Sequence, residues 1–301
     1  MLDVRRLRLL RELALRGTIA AVAEALAFSP SAVSQQLSAL EREAGVVLLE
    51  RTGRRVALTP AAHNLVRHAE AVLAQLEQAG AELAQARRGP AGPLRVGTFP
   101  SAARVVIPPA LALLAERCPE LEPMVAEVDP AGVADLLRAG ELDVALVHDY
   151  DFVPAPTEPG IDRAPLFAEA MYLATTTPGP GTLAAHAADP WILATHGTLC
   201  HAMAIRACQA AGFLPRIRHR VDDFDTVLAL VAAGQGVALV PELGVLAPPT
   251  DVHLHPLPMS RRTAITHRAG AADHPAVAAF GAAVRAALPT GLLTHPGAAR
   301  S

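Results

Sequence analysis

The 301-residue sequence predicts an α/β protein that carries a small helical head, and three observations predict it. Apolar residues recur at helical spacing in three short runs before Gly45, then along one long run from Pro60 at alternating steps of four and three. Beyond Gly89-Pro90-Ala91-Gly92-Pro93, short apolar runs alternate with helical segments, the pattern of an α/β body. A chain of this length exceeds one ordinary core, so two or three folding units are expected.

Composition narrows the class. Hydrophobic residues make up 51% and charged residues 18%, which excludes a disordered chain. The net charge of -3 hides an asymmetry: residues 1–90 hold 12 Arg against 9 acidic residues, and the rest holds 14 against 20, so the halves are +3 and -6. A basic head on an acidic body fits a nucleic-acid-binding unit carried by a domain that avoids polyanions. Cys118, Cys200 and Cys208 are too few for a disulfide framework. The start, Met-Leu-Asp-Val-Arg-Arg, lacks the apolar core of a secretory signal, and no apolar stretch is long enough to span a bilayer. The expectation is a cytoplasmic protein with no membrane partner.

From Val4 to Leu15 the apolar positions Leu7, Leu10, Leu13 and Ala14 define an amphipathic helix that Gly17 stops. Thr18 caps a second helix with Ala20, Ala23 and Leu26 on its inner face. A third opens at Ser29-Pro30-Ser31, with Ser29 or Ser31 as cap and Val33, Leu37 and Leu40 turned inward. Two short helices joined by a tight turn form a helix-turn-helix, whose second member enters the major groove. Ser31, Ser34, Gln35 and Ser38 then lie outward, as short or amide side chains able to read base edges. Glu41 and Glu43 sit at the far end of that helix.

Two apolar runs follow, ending at Arg51 and beginning at Arg55, with Thr52-Gly53-Arg54 as the turn of a small hairpin. That hairpin is a wing, and Arg51, Arg54 and Arg55 near its tip suit phosphates or the minor groove.

These motifs resemble the head of the LysR family. The matching residues are Gly17-Thr18, Ala20 to Leu26, Ser29-Pro30-Ser31-Ala32-Val33-Ser34-Gln35-Gln36-Leu37, Leu40-Glu41, Gly45, Leu48 to Arg51 and Leu58 to Ala61. Pro30, Leu49 and His63 depart from the usual pattern and bear on the operator sequence. The resemblance implies a DNA-binding transcriptional regulator with contacts from Thr18, Ser29, Pro30, Ser31, Ser34, Gln35, Gln36, Ser38, Arg51, Arg54 and Arg55.

In the run from Pro60 to Arg88, Leu65, Ala69, Val72, Leu76, Ala79, Leu83 and Ala86 form a heptad seam. A seam on a helix outside any core is best buried by the same seam of a second chain, which predicts a homodimer. Two recognition helices related by a two-fold axis require an inverted-repeat operator in double-stranded DNA. The resemblance adds a homotetramer and RNA polymerase as partner.

The body divides into two units. The first has strand Leu94–Gly97, helix Ala102–Cys118, strand Glu122–Val128, helix Val133–Ala139 and strand Asp143–Val147. The second has Met171–Thr175, Trp191–Ala194, Ala202–Ala211, Arg216–Val221, Thr226–Ala233 and Val237–Val240, then strand Thr263–His267; the closing helix Pro275–Leu288 returns to the first. Leu142 to Leu146 and Val231 to Pro241 resemble the LysR-type effector domain, itself similar to periplasmic solute-binding proteins. The expected division is residues 1–59 for the winged head, 60–88 for the dimerising helix and 89–301 for a two-lobed effector domain. Lobe I covers about 93–165 with 268–301, and lobe II about 166–267.

In open α/β sheets a ligand sits outside the carboxyl ends of the strands, here the loops facing the inter-lobe cleft. Those loops hold Thr98, Phe99, Pro100 and Ser101, then His148 and Asp149, then Thr195, His196 and Thr198, and Gln235. Hydroxyls at Ser101 and Thr198 suit a carboxylate, so an amino acid or another small organic acid is the expected effector, with no cofactor. Asp222, Asp223 and Asp225 cap the helix that begins near Thr226. A competing reading is a thiol- or metal-responsive regulator using Cys200, His201 and Cys208 beside His196, although the spacing matches no common zinc pattern. An enzyme is not expected, since the sequence has no phosphate loop, nucleophile elbow or His-Glu-x-x-His element.

Overall fold

The computed structural model describes every residue except 53–54, 87–88, 180, 246–247, 290–291 and 295–301. The head starts with α1 (Val4–Arg16), whose first amides donate to the Asp3 carboxylate and which Gly17 ends at φ 73°. Next come α2 (Ile19–Ala25), capped by Thr18, and α3 (Pro30–Ala44), capped by Ser29 with Pro30 in its first turn. Leu10, Leu13, Val22, Val33, Leu37 and Leu40 fill their shared core. Ala20 was expected inside and is exposed, because Ile19, Val22, Ala23 and Leu26 make the inner face and Ala20 lies a hundred degrees round from Ile19. A hairpin of β1 (Leu49–Thr52) and β2 (Arg55–Leu58) completes the head, with Leu49 opposite Leu58 and Thr52 opposite Arg55. Arg54 lies outside the described residues, as do the side chains of Arg51 and Arg55.

Helix α4 (Pro60–Gln85) opens on Thr59, whose hydroxyl accepts from Ala62 N and donates to Val47 O. The predicted seam divides here. Leu65 and Ala69 pack on the head's own core, whereas Val72, Leu76 and Leu83 are 40%, 51% and 74% exposed. The first half of the helix is therefore covered by its own chain, and an outward apolar stripe begins only at Val72.

The body contains β3 (Gly92–Thr98), α5 (Pro100–Val105), α6 (Ile107–Arg117), β4 (Leu121–Glu127), α7 (Pro130–Ala139), β5 (Val144–Tyr150) and β6 (Ile161–Thr175). After these come β7 (Pro190–Leu193), α8 (Leu199–Ala210), β8 (Arg216–Arg220), α9 (Phe224–Ala232), β9 (Ala238–Pro241), β10 (His253–Arg268), α10 (Pro275–Ala286) and β11 (Leu293–Thr294). The one helix expected over Ala102–Cys118 is two. Pro108 and Pro109 have no amide to donate and fit only a first turn, so the helix restarts at Ile107.

A mixed sheet runs β11-β6-β10-β5-β3-β4, with β9 added to β6, and β7 pairs with β8 apart from it. Strand β3 is parallel to β4 and β5, while β10 is antiparallel to β5 and β6. Strands β6 and β10 stay paired from Ile161 and Arg268 to Thr175 and His253, and both pass through the two lobes. Leu166, Phe167 and Ile265 join the first lobe's core with Val96, Leu146 and Phe280; Met171 and Leu257 join the second with Trp191, Met203 and Leu239. The crossing thus lies inside the strands, a few residues beyond the 165/166 boundary and several before 267/268. Only Met171–Thr175 and Thr263–His267 were legible as strands, because Pro165, Pro256, Pro258 and the register shift between Leu257 and Ser260 break the two-residue alternation.

Guanidinium contacts join head and long helix to the first lobe. Arg8 Nη2 donates to Arg138 O at 2.5 Å, Arg16 lies 3.0 Å from Asp135, and Arg268 Nε lies 2.8 Å from Glu77 of α4. Among the described residues no helix is long and apolar enough to cross a membrane.

Candidate functional site

Two regions carry the chemistry anticipated in the sequence. On the head, α3 holds Ser31, Gln35 and Ser38 exposed on one face, with Ser34 half-buried beside them. Three further head candidates, Thr18, Ser29 and Gln36, are engaged within the head itself. Thr18 Oγ1 accepts from Ala21 N and Ser29 Oγ from Ala32 N, both as helix caps. Gln36 Oε1 accepts from Arg6 Nε at 2.9 Å, and Arg6 also pairs with Glu43. Glu41, at the far end of α3, accepts from Leu48 N at 2.9 Å and Leu49 N at 3.0 Å and so fixes the base of the hairpin to α3.

The second region is a cavity of about 310 Å³ between the lobes, at the carboxyl ends of β3, β4, β5, β7 and β8. It brings together Phe99, Pro100, Ser101, His148 and Thr198 of the predicted residues. Tyr150, Met171, Cys200, Met203, Leu239 and Arg261 complete most of the inner wall, and Glu127, Asp129 and Asp222 stand exposed at its edge.

Arg261 organises the wall. It is 1% exposed and sits on β10 directly between Tyr150 of β5 and Glu169 of β6. Its Nε donates to Glu169 Oε1 at 2.8 Å and its Nη2 to Ser101 Oγ at 2.8 Å, with the guanidinium carbon 4.9 Å from the centre of the Phe99 ring. The other Glu169 oxygen accepts from Leu243 N at 2.7 Å. Burial alone would destabilise this cation, yet the Glu169 carboxylate holds its pKa well above the ordinary value.

His148 meets Phe99 and Tyr150 edge-on, with ring centroids at 4.6 and 5.2 Å. Neither ring nitrogen has a hydrogen-bond partner among the described residues. Burial, then the charges of Arg261 and Arg163, push its pKa well below the ordinary value, so the ring is neutral. Tyr150 Oη lies 2.9 Å from Cys200 Sγ, and burial raises the pKa of both groups.

Other predicted effector contacts lie elsewhere. Asp149 follows His148 on a strand and so points to the opposite face, where it pairs with Arg163 at 3.0 Å and Arg262 at 2.8 Å. Thr98 is buried behind the wall, and its hydroxyl reaches only Phe99 O at 3.5 Å. Thr195 is tied to Asp222 through its amide at 2.8 Å and its hydroxyl at 2.6 Å. Thr198 lines the cavity but also caps α8, and His196 is exposed on the loop before it. Gln235 folds onto Ala233 O at 3.2 Å. Of the three aspartates expected to cap α9, only Asp223 does; Asp222 braces Thr195 and Asp225 pairs with Arg104.

The sulfur and imidazole groups assemble only in part: the His196 and His201 rings meet with centroids 5.2 Å apart. Cys200 and Cys208 stand eight residues apart on α8, about 12 Å along its axis and beyond disulfide reach. Burial raises the Cys208 thiol to about 12. His201 Nδ1 lies 3.0 Å from Ala194 O. Among the described residues no group of three or more His, Cys, Asp or Glu is placed to hold a metal ion.

Sequence reasoning missed Arg261 and Glu169. They stand 92 residues apart in mid-strand, and only the pairing of β6 with β10 makes them neighbours.

A winged helix-turn-helix on a long helix, followed by two α/β lobes that share a cavity, defines a ligand-responsive class of DNA-binding regulator. Residues 4–63 match the family described as bacterial regulatory helix-turn-helix protein, lysR family, and residues 87–289 match the LysR substrate binding domain. The chain belongs to the LysR family and is a LysR-type transcriptional regulator. It is similar to the probable HTH-type transcriptional regulator LrrA of Synechococcus elongatus, with 30% identity over 287 residues covering 93% of this chain and 95% of the relative. A probable hydrogen peroxide-inducible genes activator of Streptomyces viridosporus is 34% identical over 283 residues, 88% of each chain. Among solved structures, an OxyR mutant of Corynebacterium glutamicum matches with TM-score 0.57 and 27% identity, covering 95% of this chain and 92% of that one. Full-length CbnR complexed with its target DNA matches with TM-score 0.54 and 26% identity, covering 95% and 100%.

Proposed function

We propose that this regulator acts in the cytoplasm as a homodimer, assembling further to a tetramer, on an inverted-repeat operator. Ser31, Ser34, Gln35 and Ser38 read base edges, while Thr18, Ser29, Pro30, Gln36 and the hairpin arginines Arg51, Arg54 and Arg55 position the head on the backbone. A small-molecule effector with an acid group, an amino acid or another small organic acid, binds between the lobes and changes how the dimers are placed, and with that the access of RNA polymerase. Phe99, Pro100, Ser101, His148 and Thr198 contact it, with Arg261 behind them. The observation that carries the effector reading is the buried Arg261 guanidinium hydrogen-bonded to Ser101 on the wall of a largely apolar cavity.

Selection of random duplex DNA by the full-length protein, followed by titration of the winning sequence against salt, tests the first part. Enrichment of an inverted repeat, a steep loss of affinity with salt and relaxed selectivity in Gln35→Ala are expected. No enrichment at low salt from folded protein sinks the operator reading.

A thiol-responsive regulator is the second reading, favoured by the relatives named as hydrogen peroxide-inducible genes activators and by Cys200 on the cavity wall. A raised thiol pKa opposes it, since the thiolate is the reactive form. A stoichiometric oxygen adduct on Cys200 by mass spectrometry after mild peroxide treatment would favour it, and an unmodified Cys200 would end it.

A further inference from the structure

The cavity contains one buried polar group that nothing among the described residues satisfies. His148 is 5% exposed, stands on the cavity wall, and has neither ring nitrogen hydrogen-bonded among the described residues. Leaving a buried donor and acceptor both unused is costly, and native structures keep such groups where a ligand or a working state supplies the partner.

The groups around it define what that partner is. On its own strand Tyr150 presents a ring edge, and from the β3–α5 turn Phe99 presents another. Across the pairing with β10 its neighbour is Thr263, whose buried hydroxyl also lacks a partner among the described residues. The charges that act on it are Arg261 from β10 and Arg163 from β6, both positive, while Glu169 is already spent on Arg261 and Asp149 on the opposite face of the sheet is spent on Arg163 and Arg262. Cys200 of α8 is hydrogen-bonded to Tyr150. Ser101 accepts from Arg261, which leaves its own hydroxyl hydrogen for a ligand. These donors converge on one end of a space whose inner wall is completed by Met171, Met203, Leu193, Leu239 and Val227, while the carboxylates of Glu127, Asp129 and Asp222 stand exposed at its edge.

We propose that the effector is a small carboxylate with an apolar body, and that His148 receives its acid group while taking up one proton from solvent as the ligand enters. This rests on the reading of the cavity as the effector site. The proton bookkeeping is simple: the carboxylate stays ionised, one N–H bond forms on the imidazole, and the buffer loses the proton. The imidazolium then neutralises the negative charge that Arg261, already matched by Glu169, leaves uncompensated. Binding is therefore tighter at lower pH, and this regulator reports acidity together with its ligand.

Calorimetric titration of the full-length protein tests this with phenylacetate and its uncharged isostere phenylacetamide, up to about 20 mM, a range that captures millimolar affinity. Phenylacetate is expected to bind at least about tenfold tighter than the amide, and at least about tenfold tighter at pH 6 than at pH 8. Its heat should change between buffers of different ionisation enthalpy by the amount one proton requires. In His148→Gln, shown folded by its thermal transition, the pH dependence and the buffer dependence should both vanish, and Ser101→Ala should weaken binding. Buffer-independent heats in the unmodified protein, with Ser101→Ala still weakening binding, overturn the proposal and leave the cavity as effector site. Binding that neither variant changes removes the cavity reading as well. No phenylacetate binding overturns the ligand class, while the operator selection stands as a separate result.

Discussion

Arg268 Nε lies 2.8 Å from Glu77 Oε1, so the last residue of β10 is fastened to the long helix that carries the head. The same guanidinium donates to the carbonyls of Leu137 and Leu142, which fixes its direction. Seven residues earlier on that strand, Arg261 lines the cavity. Both partners of the Arg268–Glu77 pair are partly exposed, so Glu77→Ala should cost less than about 1 kcal/mol of stability. The expected effect is on coupling: operator affinity without ligand stays close to that of the parent protein, and the change caused by ligand is reduced. Fluorescence anisotropy on the selected operator checks this, and an unaltered ligand response would remove β10 from the route between the two sites.

Arg261 and Glu169 are both essentially inaccessible, with side chains 1% and 0% exposed. Removing one partner strands the other charge, so Arg261→Met should destabilise the effector domain by about 3 to 5 kcal/mol in urea unfolding. Adding Glu169→Gln, which keeps an acceptor for Leu243 N and removes the charge, should recover most of that loss. Failure of the double variant to recover would show that the guanidinium is needed for its packing on Phe99 and not for its charge.

The apolar stripe on α4 makes a different kind of prediction. Val72, Leu76 and Leu83 are exposed at helical spacing, whereas Leu65 and Ala69 are covered by the head. Leu83→Asp is expected to yield monomers in sedimentation at micromolar concentration with little change in the far-ultraviolet spectrum. Leu65→Asp should instead unfold the head. A dimer that survives Leu83→Asp would assign the stripe to something other than self-association.

Asp143 supplies a pH test. Burial alone would raise its pKa, but hydrogen bonds from the Arg95 side chain and backbone, with the Arg95 and Arg268 charges, outweigh it and hold the carboxyl below its ordinary 3.8. A depressed carboxylate stabilises the fold above its unfolded value and loses that contribution as pH falls through the folded one. Asp143→Asn should therefore be less stable than the parent at neutral pH by an amount that is constant above about pH 5 and shrinks below the ordinary carboxylate range. Denaturation midpoints across that interval measure it, and a difference that grows on acidification would contradict the assignment.

The head was legible because its signals are local. Caps, a stop glycine and apolar spacing all act within a few residues, and Ser29, Pro30 and Gly45 do what their neighbours demand. The cavity was legible only at strand ends, where Phe99, Ser101, Thr198 and His148 were found by rule. The same rule failed at Asp149, because strand alternation sends consecutive side chains to opposite faces and the sequence does not say which face is inside. Arg261 and Glu169 left no local trace: their meeting depends on the register of two long strands that prolines and a bulge conceal.

The two strands that thread both lobes also set the order in which the protein can be made. Val96, Leu146 and Phe99 form a core with Ile265, Phe280 and Val284, which follow them by more than a hundred residues of chain. While the ribosome is still adding the second lobe, the earlier strands have no partner on the β10 side and an apolar face awaits α10. Completion of the first lobe is thus the last folding event and not the first, and the long-range closure it requires makes the nascent effector domain the slow, exposed part of the molecule beside a head whose core closes between Leu7 and Ala69.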